Sequence, residues 1–297
     1  MNDVPPIHKY LTNDNFRTAV NLIDNGLVED LEHFLIANPE LTNIVGEFSK
    51  KFFASGTESN QYFSKPKLLW FTAENPVRRG KFNESICDVI DCIIESQRKN
   101  SPSTLQFDLD YTLSLLTSGC IANQSILLNK IVRCFVKNGA NPNCTESALI
   151  HGEQQAVMTL VNHGADINIL VAAGIGREDK LNELLPTADI LTKRKALACA
   201  AANGQPKCCL ILLNEGLDPN QYNPSGFHSH NTPLQLAIWG NSIATVRCLL
   251  RSGANPEIRD TMHKSNAVDW ATHLKRTDIL RVLTACMGND SRTEPSS

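Results

Sequence analysis

Apolar residues recur along this chain at helical spacing, and small polar turns interrupt them at regular intervals. Four segments of the second half align with one another: Ala148–Gly164, Ala172–Leu185, Ala200–Gly216 and Ala237–Gly253. In each, a small residue is followed four positions later by Gly or Asn: Ala148 by Gly152, Ala172 by Gly176, Ala200 by Gly204, Ala237 by Asn241. In three of them a second glycine stands twelve positions further on, at Gly164, Gly216 and Gly253. Between these marks the apolar residues keep a helical period, as in Val157, Leu160, Val161 and again in Val246, Leu249, Leu250.

This pattern predicts a helical hairpin. A short first helix packs an alanine against its neighbour, where a larger side chain would hold the helices apart. The chain reverses at a residue of positive φ, which Gly adopts freely and Asn tolerates best among the rest. The predicted reversal positions are Gly26, Gly152, Gly176, Gly204 and Asn241. A second helix of about ten residues follows and ends at the second glycine in a left-handed cap. Polar turns come next: Gly139-Ala140-Asn141-Pro142, Gly164-Ala165-Asp166, Gly216-Leu217-Asp218-Pro219 and Gly253-Ala254-Asn255-Pro256. There Asn or Asp bonds the local backbone and Pro stops the helix. A single hairpin cannot bury its apolar face, so neighbouring copies must stack.

The segment Thr232-Pro233-Leu234-Gln235-Leu236-Ala237 resembles the T-P-L-H-x-A signature of the ankyrin repeat, with Gln235 in the His position. The resemblance continues to Leu249-Leu250 and to Gly253-Ala254-Asn255-Pro256. Asn220–Trp270 is further similar to an uncharacterised group of bacterial ankyrin-repeat proteins. Weaker copies of the pattern lie in Ala19–Pro39, Leu68–Glu95, Asp108–Asn143 and Ala267–Ala285. The resemblance implies an all-α ankyrin-repeat solenoid of about eight helical hairpins with projecting turns. The expected organisation is an N-terminal extension (1–13), a capping repeat (14–39), an irregular excursion (40–67), degenerate repeats (68–143), regular repeats (144–287) and a disordered tail (288–297). The excursion carries Phe48, Phe52, Phe53, Tyr62 and Phe63, which favours a packed segment. Gln97–Thr104 is polar and reads as a loop, and Trp70 in its apolar run reads as core.

Composition narrows the function classes. Lys and Arg number 28 against 31 Asp and Glu, a net charge of −3, which argues against a general nucleic-acid binder or a polybasic membrane anchor. No stretch approaches the ~20 apolar residues of a spanning helix, and Met1–Tyr10 has two prolines and no apolar run. Ten cysteines fall largely inside apolar helical patterns without paired C-x-x-C spacing, so they read as small buried hydrophobes in a reducing, cytoplasmic compartment.

Candidate chemistry is sparse. Nucleophile-elbow, phosphate-loop and zinc-protease motifs are missing. Gly174-Ile175-Gly176 follows a short helix, and its last glycine is already taken by the reversal. Lys193-Arg194-Lys195 reads as a solvated helix start. The conspicuous feature is Phe227-His228-Ser229-His230, followed by His263 and His273; its loop is longer than an ordinary connection, and Asp260 and His263 lie on the next one. These residues read as a polar network locking adjacent repeats, or else as metal ligands, since imidazole and carboxylate are common ligands. Trp239 and Trp270 fall in first helices of successive repeats, which the resemblance places on the concave face.

The resemblance implies a non-catalytic protein–protein interaction module, without cofactor or metal, binding through the concave face and turn tips. The expected partner-binding residues are Phe227, His228, His230, Trp239, Asp260, His263 and Trp270. A protein partner is expected rather than nucleic acid or membrane, and the chain is expected to be monomeric. The alternatives are a bacterial effector that binds host proteins after delivery to a host cell, and a metal-dependent protein using the His228, His230, Asp260 and His263 loops.

Overall fold

The computed structural model describes residues 7–49 and 63–290. Among these, the helices pair into eight hairpins and the extended pairing is limited to an isolated bridge between Leu11 and Phe48. The architecture is the all-α repeat fold that the pattern predicts. The chain divides into two compact units: Met1–Ala148 with Met158–Ala165, and Leu149–Val157 with Asp166–Ser297.

In the first unit, α1 (Asp14–Asn25) starts where the Asn13 side chain accepts the Phe16 N–H at 2.8 Å. It buries Phe16, Ala19, Val20 and Ile23, one stripe at helical spacing. After Gly26, α2 (Val28–Ala37) returns and buries Leu31 and Leu35. The described ends of the excursion are packed. Phe48 and Phe63 are buried, the Gly46 N–H donates to the Pro66 carbonyl at 2.7 Å, and the Ser49 N–H to that of Tyr10 at 2.8 Å. Phe52, Phe53 and Tyr62 lie outside the described residues.

The second hairpin replaces its first α-helix by a 3-10 helix, Leu68–Ala73, followed by a long turn and α3 (Ile86–Asn100). Next come α4 (Pro102–Thr117), the short α5 (Cys120–Gln124) and α6 (Leu128–Lys137). The polar stretch Gln97–Thr104 is therefore not a loop; it is helical on both sides of Ser101. Its exposed members face solvent, and its buried Gln97 is satisfied inside: the amide donates to the buried Asp108 carboxylate at 2.5 Å and to the Thr104 hydroxyl at 3.2 Å. Pro102 at the first helical position starts α4 without losing a helical hydrogen bond. α7 (Thr145–Ile150) and α8 (Gln154–Asn162), turning at Gly152, carry the chain from one unit into the other.

The second unit contains α9 (Ile169–Ile175), α10 (Glu178–Leu184), α11 (Ile190–Ala202), α12 (Pro206–Asn214), α13 (Pro233–Trp239), α14 (Ile243–Arg251), α15 (Ala267–His273) and α16 (Thr277–Asp290). The first helices α9, α11, α13 and α15 pack on one another in order, and so do the second helices α10, α12, α14 and α16. Every residue of Ala196–Ala202 is buried, because α11 lies between α9 and α13 and its alanines allow close approach from both sides. Helix α16 runs to Asp290 and so takes in the first three positions of the segment expected as a disordered tail; residues 291–297 lie outside the described part. Gly288 weakens a helix interior by only about 1 kcal/mol and does not end it.

The reversals have positive φ: 67° at Gly26, 70° at Gly152, 79° at Gly176, 69° at Gly204 and 56° at Asn241. Lys275 takes φ 56° at the turn between α15 and α16, which no glycine marks. A Cβ built on Gly204 would lie 3.1 Å from Ser242 Cβ and 3.2 Å from Ser242 Oγ, the atom that caps α14. Gly204→Val is therefore expected to destabilise the second unit by roughly 1–2 kcal/mol from the left-handed backbone alone. Gly204→Asn should cost less. Urea unfolding of the two variants checks this, and an unchanged midpoint in Gly204→Val would refute the repeat register.

Candidate functional site

The extended loop before α13 is built by its own backbone. The Phe227 N–H donates to the Pro224 carbonyl at 3.0 Å, the Asn231 N–H to that of His228 at 2.9 Å, and the Asn223 N–H to that of Asn231 at 2.9 Å. His228 takes φ 52°, a conformation uncommon outside glycine. The loop is tied to its neighbours at several points. The Tyr222 hydroxyl donates to the Arg259 carbonyl at 2.6 Å, and the Thr261 N–H donates to the His230 carbonyl at 3.0 Å. Gln235, standing in the His position of the signature, donates to the carbonyls of Ile258 and Ser265, both at 3.1 Å, and accepts the Thr232 N–H at 2.8 Å.

Asp260 organises the next connection from inside. Its carboxylate is 0% exposed and accepts the N–H groups of His263 at 2.5 Å, Met262 at 2.9 Å and Ser265 at 3.0 Å, and the Trp270 indole N–H at 3.0 Å. Burial alone would push this carboxyl up, but the backbone N–H groups and the indole outweigh it and hold it below the usual carboxylate range. Asp260 is thus a structural anchor and not a partner-binding residue. With both oxygens engaged it has no place in a metal site.

What the second unit presents to solvent is a groove of about 530 Å³. Trp239 on α13 and Trp270 on α15 line it together with His228, His230, His263 and His273, over a floor that includes Leu236 and Leu274. Both indoles are half-buried. The His228 ring stands 5.7 Å from the Trp239 ring and 5.9 Å from that of His230, centroid to centroid. Its Nε2–H donates to the Ile150 carbonyl at 3.1 Å, which fixes that tautomer. Burial depresses the His228 pKa, and the neighbouring His151 and His230 add to the effect, so the ring is neutral near pH 7.

The structure thus brings five of the seven expected residues to one groove and removes two. Phe227 is the second exception: it is 2% exposed, with Lys195 Nζ 5.2 Å from its ring centre. It anchors the loop from beneath, because an aromatic flanked by polar positions on a tight loop is the residue that the loop can bury. The four groups of the metal alternative do not converge. Among the described residues no set of three His, Cys, Asp or Glu is placed to hold an ion. His273, conspicuous in the sequence after His263, joins the lining three positions after Trp270 on α15; Asp269 and Leu274 join it too, and helical spacing around Trp270 is the signal that points to them.

Two other sequence features change meaning. Lys193-Arg194-Lys195 is not a free basic run: Lys193 pairs with Glu215 at 2.7 Å and Arg194 donates to the Tyr222 carbonyl at 2.6 Å. Trp70, expected in the core, is half-buried in the first unit, with its ring 4.3 Å from that of Tyr111 and its indole N–H donating to Asp108 at 3.3 Å. Among the described residues no helix is long and apolar enough to cross a membrane.

Comparison with known families adds one match: residues 169–260 fit the model described as ankyrin repeats (3 copies). No curated protein matches the chain. The matched span takes in α9 through α14 and ends at Asp260, the residue that closes the groove's second connection. The hairpins, reversal turns and capped connections of the second unit over that span are ankyrin repeats.

Proposed function

We propose that the protein is a non-catalytic interaction module that binds a protein partner in the groove of its second unit, with Trp239 and Trp270 as the anchors. Ankyrin repeats are in general protein-interaction modules, and the fold alone does not name the partner. The observation that carries the reading is two half-buried indoles on adjacent first helices, opening on one groove rimmed by histidines. Large aromatic side chains in partly desolvated grooves are what interface centres use. His230 and His263 supply polar contacts at the rim, and His228 holds the Trp239 side of the groove in shape. A net charge of −3 favours a protein partner over nucleic acid. Ten cysteines standing as free thiols suit a reducing, cytoplasmic location.

The test is quantitative capture of the native partner, identified by mass spectrometry, with variants whose folding is checked by circular dichroism. Trp239→Ala is expected to weaken binding by about 2 kcal/mol, roughly 30-fold. Leu210→Ala, on the exposed side of α12, should leave it unchanged. Folded Trp239→Ala and His230→Ala variants that bind normally, with binding lost in Phe107→Ala of the first unit, would place the site elsewhere.

A further inference from the structure

In the first unit a groove of about 470 Å³ runs between α2 and α3, which pack against one another. Its two walls differ in character. Val28, Leu35 and Ile36 of α2, with Pro39 just beyond it, make an apolar wall at helical spacing. Leu35 is buried, whereas Ile36 is left 71% exposed. The facing wall is acidic: Asp88, Asp91 and Glu95 form one stripe along α3. Glu32 adds a fourth carboxylate from α2, and Lys99, at the far end of α3, is the single cation on the lining.

These carboxylates are not neutralised from within the fold. Asp91 accepts the Asn138 amide at 2.7 Å and the Cys134 thiol at 3.3 Å. Among the described residues none of the four stands in an ion pair. Their field reaches the thiol that lines the groove: Cys92 is raised to about 11, by burial first and then by Glu32 and Glu95.

We infer that this groove docks a basic amphipathic helix of a protein partner, its apolar stripe on Ile36 and the α2 wall and its lysines or arginines against the carboxylates of α3. The length follows from the acidic stripe: from Asp88 to Lys99 it covers about 16 Å, about three helical turns. The chemistry follows from the contrast between the walls. A helix with apolar residues at i, i+3 and i+4 and cations on one flank meets an apolar surface and an acidic one at once. Nucleic acid or an acidic peptide would be repelled by the four carboxylates, and a wholly polar basic segment would leave Ile36 uncovered. The tryptophan groove lies in the other unit and takes no part in this contact.

The experiment titrates the full-length protein into a fluorescein-labelled peptide of leucine and lysine, about 14 residues long, with its leucines at i, i+3 and i+4, and reads fluorescence anisotropy. A scrambled peptide of the same composition should bind at least about tenfold more weakly. Glu32 and Glu95 are exposed, so their neutralisation should leave the fold intact. Glu32→Gln with Glu95→Gln is expected to weaken binding of the patterned peptide roughly tenfold. Asp179→Asn with Glu183→Gln removes the same charge from exposed pairs of the second unit and should change it by less than about twofold. With benzophenone in place of a central leucine, the peptide should crosslink to residues 28–39 or 88–99 of the unsubstituted protein, read by mass spectrometry after digestion. No saturable binding, equal binding of the scrambled peptide, equal loss in the two double variants, or crosslinks outside those stretches would each overturn the inference. None of these results bears on Trp239 or Trp270 except crosslinks gathered at their groove, which would support the partner site there while removing this one.

Discussion

Arg78→Ala is expected to destabilise the first unit by about 3–5 kcal/mol, the cost of breaking a buried ionic cluster by removing one member. Arg78 is 2% exposed and bridges Asp24, at 9%, and Glu74, at 0%. Its guanidinium contacts Asp24 Oδ1, lies 3.0 Å from Glu74 Oε1, donates to the Phe71 carbonyl and covers the Phe71 ring at 5.2 Å. Arg79 completes the group with a 2.8 Å bond from Nε to Glu74 Oε1. Two cations and two carboxylates balance, so the cluster is neutral as a whole. It pins the long turn after the 3-10 helix onto the end of α1. Without Arg78, two buried carboxylates share one arginine. Arg17→Ala is the contrast in the same unit, because its pair with Asp14 is solvent-exposed and such pairs contribute little. Urea unfolding in a Trp239→Phe, Trp270→Phe background lets Trp70 report on the first unit alone. A shift for Arg78→Ala no larger than for Arg17→Ala would show that the cluster is not a structural lock.

Asp260→Ala should cost the second unit about 3 kcal/mol, because it leaves four N–H donors facing a buried site without an acceptor. The groove should suffer with it, since Trp270 loses the partner that holds its ring. The pH dependence has a defined sign. The native carboxyl titrates below its unfolded value of about 3.9, so its contribution is complete above that value and is lost as pH falls through the native one. The stability gap between the natural protein and Asp260→Asn should thus be constant above about pH 5 and narrow toward pH 3. A gap that widened on acidification would contradict the assignment of Asp260 as an ionised anchor. Unfolding is followed by Trp239 and Trp270 in a Trp70→Phe background.

The repeat is written in the local chemistry of the chain. Alanine four residues before a Gly or Asn, a leucine-rich second helix and a glycine at its end are local requirements of a helical hairpin, and every reversal marked this way has positive φ. Lys275 escaped because its turn uses the same backbone conformation without the residue that advertises it. The aromatic and histidine residues of the groove were also legible, as side chains that a purely structural repeat does not need. Which of them face solvent was not. Phe227 and His228 are adjacent in the chain, yet the turn of the loop sends the phenyl ring into the core and leaves the imidazole at the rim. Asp260 had the look of a surface ligand, and only the folding of residues 261–265 around its carboxylate made it interior. Gln97 read as part of a polar loop until α3 and α4 brought it against Asp108. The partnership of Arg78 with Asp24 joins positions 54 residues apart, and that of Cys134 with Asp91 joins positions 43 apart. Helix period and turn chemistry act over a few residues and can be read along the chain. Burial of a charge or a thiol depends on what the fold places opposite it, and only the tertiary structure decides that.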